Sequence, residues 1–135
     1  MVRELSAVDL AKYRMEKSKD MLASAKRDLA AADFASANNR AYYCIFHAIR
    51  AVLALDNIDF KRHSAVISTF SQQYLKTMRI DRSFGPLIAT ASLIRTRSDY
   101  EDFYVCSMED TRQLVEGAER FHEAIAEYLQ TVFSD

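Results

Sequence analysis

The stretch FASANNRAYYCIFHAIRAVLAL, residues Phe34 to Leu55, decides the fold of this 135-residue chain. Ala37, Tyr43, Phe46, Ile49, Val52 and Leu53 recur in it at helical spacing and make one broad apolar surface, while Arg40, His47 and Arg50 add polar groups. Asp33 stands just before the run, where a carboxylate can accept a hydrogen bond from the first helical amides, and Asn57 and Asp59 mark the connection after it. The spacing predicts a helix from Phe34 towards Leu55.

The flanking segments read the same way. From about Ser6 to Asp28, Leu10, Met15, Leu22, Ala25 and Leu29 fall near one face, and Glu16, Lys17, Asp20, Lys26 and Arg27 supply the wet side. A third helix is predicted to start near Arg62 or His63, because Val66, Ile67, Phe70, Tyr74 and Leu75 recur at helical spacing. Asp81 to Pro86 reads as a loop, after which Leu87, Ile88, Ala91 and Ile94 open a fourth helix. Ser107, followed by Glu109 and Asp110, is a start signal for a fifth, whose packed stripe is Leu114, Ala118, Phe121, Ile125, Leu129 and Val132. Two glycines and one proline leave little material for the turns that many short strands need. The expected fold class is all-α, an up-and-down bundle of four to five helices with a long terminal helix.

Length and charge bound the function. A chain of this size suits a single domain over residues 1–135 that buries roughly 65% of the surface exposed when unfolded. Eighteen basic against nineteen acidic residues give a formal charge of -1, which argues against a broad electropositive surface for duplex nucleic acid but allows one local arginine-rich cleft. Cys44 and Cys106 have no paired metal-ligand spacing and read as packing residues, and His47, His63 and His122 are too scattered to predict a metal site. The apolar runs are too short to span a bilayer, and no basic-then-apolar leader opens the chain, so the cytoplasm is the expected compartment.

Arg95-Thr96-Arg97-Ser98-Asp99-Tyr100 places two guanidinium groups, a carboxylate and a phenol within two helical turns. Arg95 and Asp99 stand one turn apart and can pair, either to orient the helix or to hold a guanidinium for a phosphate. Arg97 lies about 200 degrees around an ideal helix from Arg95, so both reach one ligand only through a bend or a second chain. On the second helix, Tyr43, His47 and Arg50 can line a polar strip. His47 suits a hydrogen-bonded packing role or proton transfer, His63 a helix-start anchor, and Tyr42 and Tyr43 core packing or, with help from another helix, base stacking.

These residues resemble the HEPN family, small helical domains often encoded beside minimal nucleotidyltransferases. Ala37 with Arg40-Ala41-Tyr42-Tyr43, then Phe46-His47-Ala48 and Ala51, is similar to the family's second-helix signature, His63-Ser64 and Phe70 to its third-helix start, and Arg95 with Asp99-Tyr100 to its arginine and Asp-Tyr pair. The resemblance implies a HEPN-like bundle that forms a homodimer, binds RNA or a nucleotide, and works with a minimal nucleotidyltransferase, with no cofactor. It also implies a chemistry, since RNase-active members carry an arginine followed, after four to six intervening residues, by a histidine, contributed from two protomers. Here those positions hold Tyr100, Glu101 and Asp102 counted from Arg95, and Asp102, Phe103 and Tyr104 counted from Arg97.

Three functional readings follow. One is a HEPN-like RNA- or nucleotide-interacting protein of a toxin–antitoxin pair, with Arg95, Arg97, Asp99, Tyr43 and Arg50 as ligand contacts. Another is a metal-independent endoribonuclease in which Arg95 acts with His47 or Tyr100 in place of the motif histidine. The third is a structural helical homodimer, for which Tyr100, Phe103 and Tyr104 would be anchors.

Overall fold

The helix predicted over Phe34–Leu55 is the central element of the computed structural model, which describes residues 6–134. All regular elements among these residues are helical: α1 (Ala7–Ala30), α2 (Phe34–Leu55), α3 (His63–Phe70), a π-helical turn (Ser71–Leu75), a 3₁₀ turn (Arg82–Phe84), α4 (Gly85–Tyr100) and α5 (Met108–Phe133). No described helix is long and apolar enough to cross a membrane. Ser6 caps α1 in a reciprocal capping box with Asp9, Asp33 caps α2 through the Ser36 amide, and Ser107 caps α5 through the Asp110 amide. Each cap gives a side-chain acceptor to an otherwise unpaired helix-opening amide.

α2 is buried nearly all round, from Ala37 and Ala41 to Ile49, Val52 and Leu53, because α1, α3, α4 and α5 all pack on it. Its alanines let α1 approach closely, and α1 and α2 share the most extensive helix–helix contact. The α1 stripe that meets them is Ala11, Arg14, Ser18, Leu22 and Ala25, so the apolar period read from Leu10, Met15 and Leu29 describes only the margin. Arg14 is 7% exposed because its guanidinium donates to the Arg50 carbonyl (3.0 Å) and to Asp59 (3.1 Å), which ties the α2–α3 connection to α1.

The third helix starts at His63 as expected, and its end, which the sequence leaves open, is a π turn, since the Lys76 amide bonds to the Ser71 carbonyl and widens the last turn. That wider turn puts the adjacent Tyr74 and Leu75 both into the core while Ser71 and Gln72 face the α4 side. Two other expectations are corrected. The fourth helix starts at Gly85 rather than Leu87, with Pro86 inside its first turn, where a missing N–H costs nothing. Val132, expected in the packed stripe of α5, is exposed near the helix end.

Candidate functional site

Three elements place side chains around Arg95. α4 carries Arg95 on the face toward α2 and α3, α2 brings Tyr42 and Tyr43, and the first residue of α3 is His63. The guanidinium carbon lies 5.0 Å from the Tyr42 ring centre and 5.6 Å from that of Tyr43, within range for cation–π attraction. Nη1 approaches His63 Nδ1 at 3.4 Å, and the Tyr42 hydroxyl sits 2.8 Å from the same nitrogen. A guanidinium can only donate, so His63 Nδ1 is the acceptor and the ring proton is assigned to Nε2. The His63 ring stacks on Phe46 (centres 4.0 Å apart, planes at 23°), which fixes its orientation.

Electrostatics favour that neutral imidazole. Burial pushes the His63 pKa below 6.5, and the charges of Arg95 and Arg50 push it further the same way. The Tyr42 hydroxyl is moved up by burial, against the pull of Arg95, so the phenol keeps its proton. Asp99 flanks Arg95 one turn on, with Oδ2 3.7 Å from Nε, as the i,i+4 spacing predicts. Arg95 Nε is buried without a hydrogen-bond partner, and so is the Ser92 hydroxyl one turn earlier.

Arg95 borders a cleft of about 590 Å³ between α4 and the α3–π segment. Tyr42, His63, Ser64, Ser92 and Lys76 share its lining, which contains no carboxylate. Arg62 gives α3 no side-chain cap, so the opening amides of that helix lack a side-chain acceptor at the edge where Ser64 lines the cleft. Two cations, hydroxyl groups and an uncapped helix start together favour an anionic ligand. Among the described residues, no group of three or more His, Cys, Asp and Glu side chains is arranged to hold a metal ion.

The other residues singled out by sequence lie at various distances from this cleft. His47 packs against Tyr43 and Phe46, with its buried Nδ1 unpartnered, and burial followed by the charges of Lys17, Arg50 and Arg14 lowers its pKa to about 4. Arg50 grips both oxygens of Asp59 (3.1 and 3.0 Å) and lines a second cleft of about 410 Å³. Arg97 points to a different face, pairs with Glu101 at 3.9 Å and borders a cleft against α5, as the angular argument requires. Tyr100 closes α4 with 83% of its surface exposed. His63, expected as a helix-start anchor, and Tyr42, expected in core packing or base stacking, are both packed, and both also face Arg95.

Of the remaining nucleophile candidates, the buried Cys44 thiol is raised to about 11, chiefly by burial, which leaves it inert as a thiolate. His122 lies 2.7 Å from the Ser18 hydroxyl, which itself donates to the Cys44 carbonyl at 2.7 Å, so His122 serves as a donor in a polar link between α5, α1 and α2.

The comparisons with known proteins agree with this architecture. The model of the HEPN domain family matches residues 11–128. A UPF0332 protein of Thermotoga maritima is 26% identical over 121 residues, covering 90% of this chain and 92% of its own. Two Methanocaldococcus jannaschii proteins described as candidate toxins are also similar. One is 27% identical over 128 residues, covering 94% of this chain and 82% of its own. The other is 29% identical over 93 residues, covering 69% of each.

Proposed function

This chain belongs to the HEPN domain family, and from that premise we propose that it is a toxin-class protein that binds RNA through Arg95. The observation that carries the reading is the Arg95 guanidinium itself, held between two tyrosine rings and a neutral imidazole at the edge of a cleft whose lining has no carboxylate, with Nε making no hydrogen bond and only a 3.7 Å ion pair to Asp99. A planar fork of donors in that setting suits a phosphate. A minimal nucleotidyltransferase is the partner protein of this reading, as the antitoxin side of the pair.

The same reading includes a homodimer formed through the end of α4 and the α4–α5 connection. Tyr100, Phe103 and Val105 are there 83%, 96% and 82% exposed, which is unusual for large apolar side chains so close together. Two copies meeting on this strip would also bring their Asp99-Tyr100 segments together.

A second reading, metal-independent cleavage of RNA, is favoured by His63 rather than by His47 or Tyr100. The His63 Nδ1 lone pair accepts from Tyr42 and Arg95 in the free protein, so it takes the proton of a ribose 2′-hydroxyl once the bound strand displaces those two donors, as that oxygen attacks the adjacent phosphorus. The P–O5′ bond then breaks, and the 5′-oxygen takes a proton from water or from a partner chain. Arg95 would hold the charge that builds on the phosphoryl oxygens.

The test uses purified protein with a mixed-sequence RNA panel in chelator, beside Arg95→Ala and His63→Gln variants whose folding and oligomeric state match the parent. Arg95→Ala is expected to weaken RNA binding roughly ten- to hundredfold, the loss of one or two charge-assisted hydrogen bonds. Unchanged affinity in Arg95→Ala refutes the binding reading. Cleavage that survives His63→Gln refutes the catalytic one.

A further inference from the structure

The His63 ring borders two clefts at once, the one that holds Arg95 and Lys76 and the smaller one that holds Arg50, Phe60 and Lys61. Across both, the lining cations are Lys76, Arg95, Arg50 and Lys61, and the only carboxylate is Asp59. That carboxylate is already engaged by Arg14 and Arg50. Arg50 is paired with Asp59 and Arg95 with Asp99, which lies outside both linings, so among the described residues the positive charge left without a carboxylate partner on this face is that of Lys61 and Lys76.

Phe60 is a large aromatic on a loop, 44% exposed and followed directly by Lys61, Arg62 and His63. Its backbone amide donates to Asp59 Oδ1 at 2.9 Å, and Asp59 is in turn tied to two helices by Arg14 and Arg50. The ring is therefore presented on a fixed base, not on a loose tip. A fixed, exposed aromatic interleaved with cations is the arrangement that lets a nucleobase stack while its phosphates meet positive charge.

We propose that the two clefts form one continuous track for single-stranded nucleic acid that passes over His63, with Phe60 as the base-stacking residue and Lys61 as a phosphate contact in the second cleft. This rests on the RNA-binding reading above and narrows it: the ligand is a strand of several nucleotides, not a mononucleotide. One cleft suffices for a nucleotide at Arg95, and the second is occupied only when the strand continues.

The experiment measures competition by UMP and by 2′-O-methyl oligouridylates of two, four and eight residues against a fluorescein-labelled 2′-O-methyl octamer, in chelator, by fluorescence anisotropy. These probes cannot be cleaved through the 2′-position, so binding is read alone. Affinity is expected to rise at least tenfold from UMP to the tetramer. Phe60→Ala is expected to weaken the tetramer roughly five- to hundredfold while leaving UMP unchanged, and Phe60→Trp to keep parental affinity. Lys61→Ala is expected to reduce the slope of log affinity against log salt by about one. If Arg95→Ala weakens the tetramer but Phe60→Ala does not, the track is overturned and the RNA-binding reading stands. UMP binding as tightly as the tetramer overturns the track in the same way. If neither Arg95→Ala nor Phe60→Ala alters affinity, or no oligomer binds, both fall.

Discussion

Removing the Asp59 carboxylate while keeping its size, Asp59→Asn, tests how the Arg95 face is held together. Asp59 accepts from Arg14 at 3.1 Å and from Arg50 at 3.1 and 3.0 Å, and it fastens the loop that presents Phe60. The Arg14 side chain is only 9% exposed, so without a counter-charge it becomes a buried cation left with neutral acceptors alone, the Arg50 carbonyl and the asparagine amide oxygen. Breaking a fully buried pair costs about 3–5 kcal/mol. The Asp59 side chain is 52% exposed, and water screens that half, so the expected cost of Asp59→Asn is about 2 kcal/mol. For a chain of this length that lowers the melting temperature by about 7 °C.

Arg14→Met has a different expected cost, about 1 kcal/mol, because it deletes the buried charge together with its hydrogen bonds and fills the space with an apolar chain. The double variant is then expected to cost about 1 kcal/mol as well, since Asp59→Asn no longer strands a cation. Urea unfolding followed by far-UV circular dichroism measures all four proteins, with an unchanged slope confirming that stability alone has moved. Additivity, a double variant about 3 kcal/mol below the parent, would show that Arg14 does not depend on Asp59 and refute the reasoning. Burial on its own would raise the Asp59 pKa, yet the hydrogen bonds and charges of Arg50 and Arg14 outweigh it and bring it below 3.8. The stabilisation is therefore present above pH 3.8 and is lost as pH falls through the lower folded value.

Other outcomes are expected from the same structure. All three histidines have folded-state pKa values below 6.5, His47 at about 4, so the unfolded chain takes up protons that the fold refuses. Stability is then full above pH 6.5 and falls as pH is lowered from there toward 4; a urea midpoint that stays level or rises between pH 7.5 and 4.5 contradicts this. Ala32 follows α1 with φ at 61°, a left-handed conformation that costs alanine but not glycine, so Ala32→Gly is expected to raise stability by about 0.5–1 kcal/mol. A lower melting temperature in that variant would show the strain is absent. Phe103→Glu puts a charge into the exposed apolar strip and is expected to turn a dimer into a monomer by light scattering without lowering the melting temperature of the monomer; an unchanged dimer places the interface elsewhere.

The helices were legible because their signals are local. The period of α2, the caps Asp33 and Ser107 and the apolar stripe of α5 each lie within a few residues of what they decide. What escaped was set by packing from a distance. The Pro86 turn reads as a loop until Phe84 and Gly85 are seen to lead straight into α4, and the π turn at Ser71–Leu75 has no marker in SQQYL. Arg14 and Ser18 break the apolar stripe of α1 on paper, yet both are buried, because the Arg50 and Cys44 carbonyls and the Asp59 carboxylate wait opposite them.

The site followed the same division. Arg95 and its i,i+4 partner Asp99 could be found by spacing, and the 200-degree offset of Arg97 correctly sent that side chain to another face. His63 could not be found so, because it meets Arg95 across 32 residues and Tyr42 across 21, and no spacing rule joins three helices. A signal did exist in Phe60-Lys61-Arg62-His63, where one aromatic stands among cations at the mouth of a helix that lacks a capping side chain. An uncapped helix start is a loss of stability unless something else supplies the acceptor. Arg62 stands where serine or aspartate would cap α3, so the opening amides of that helix have no protein side chain as acceptor and stay open to water or to an anion.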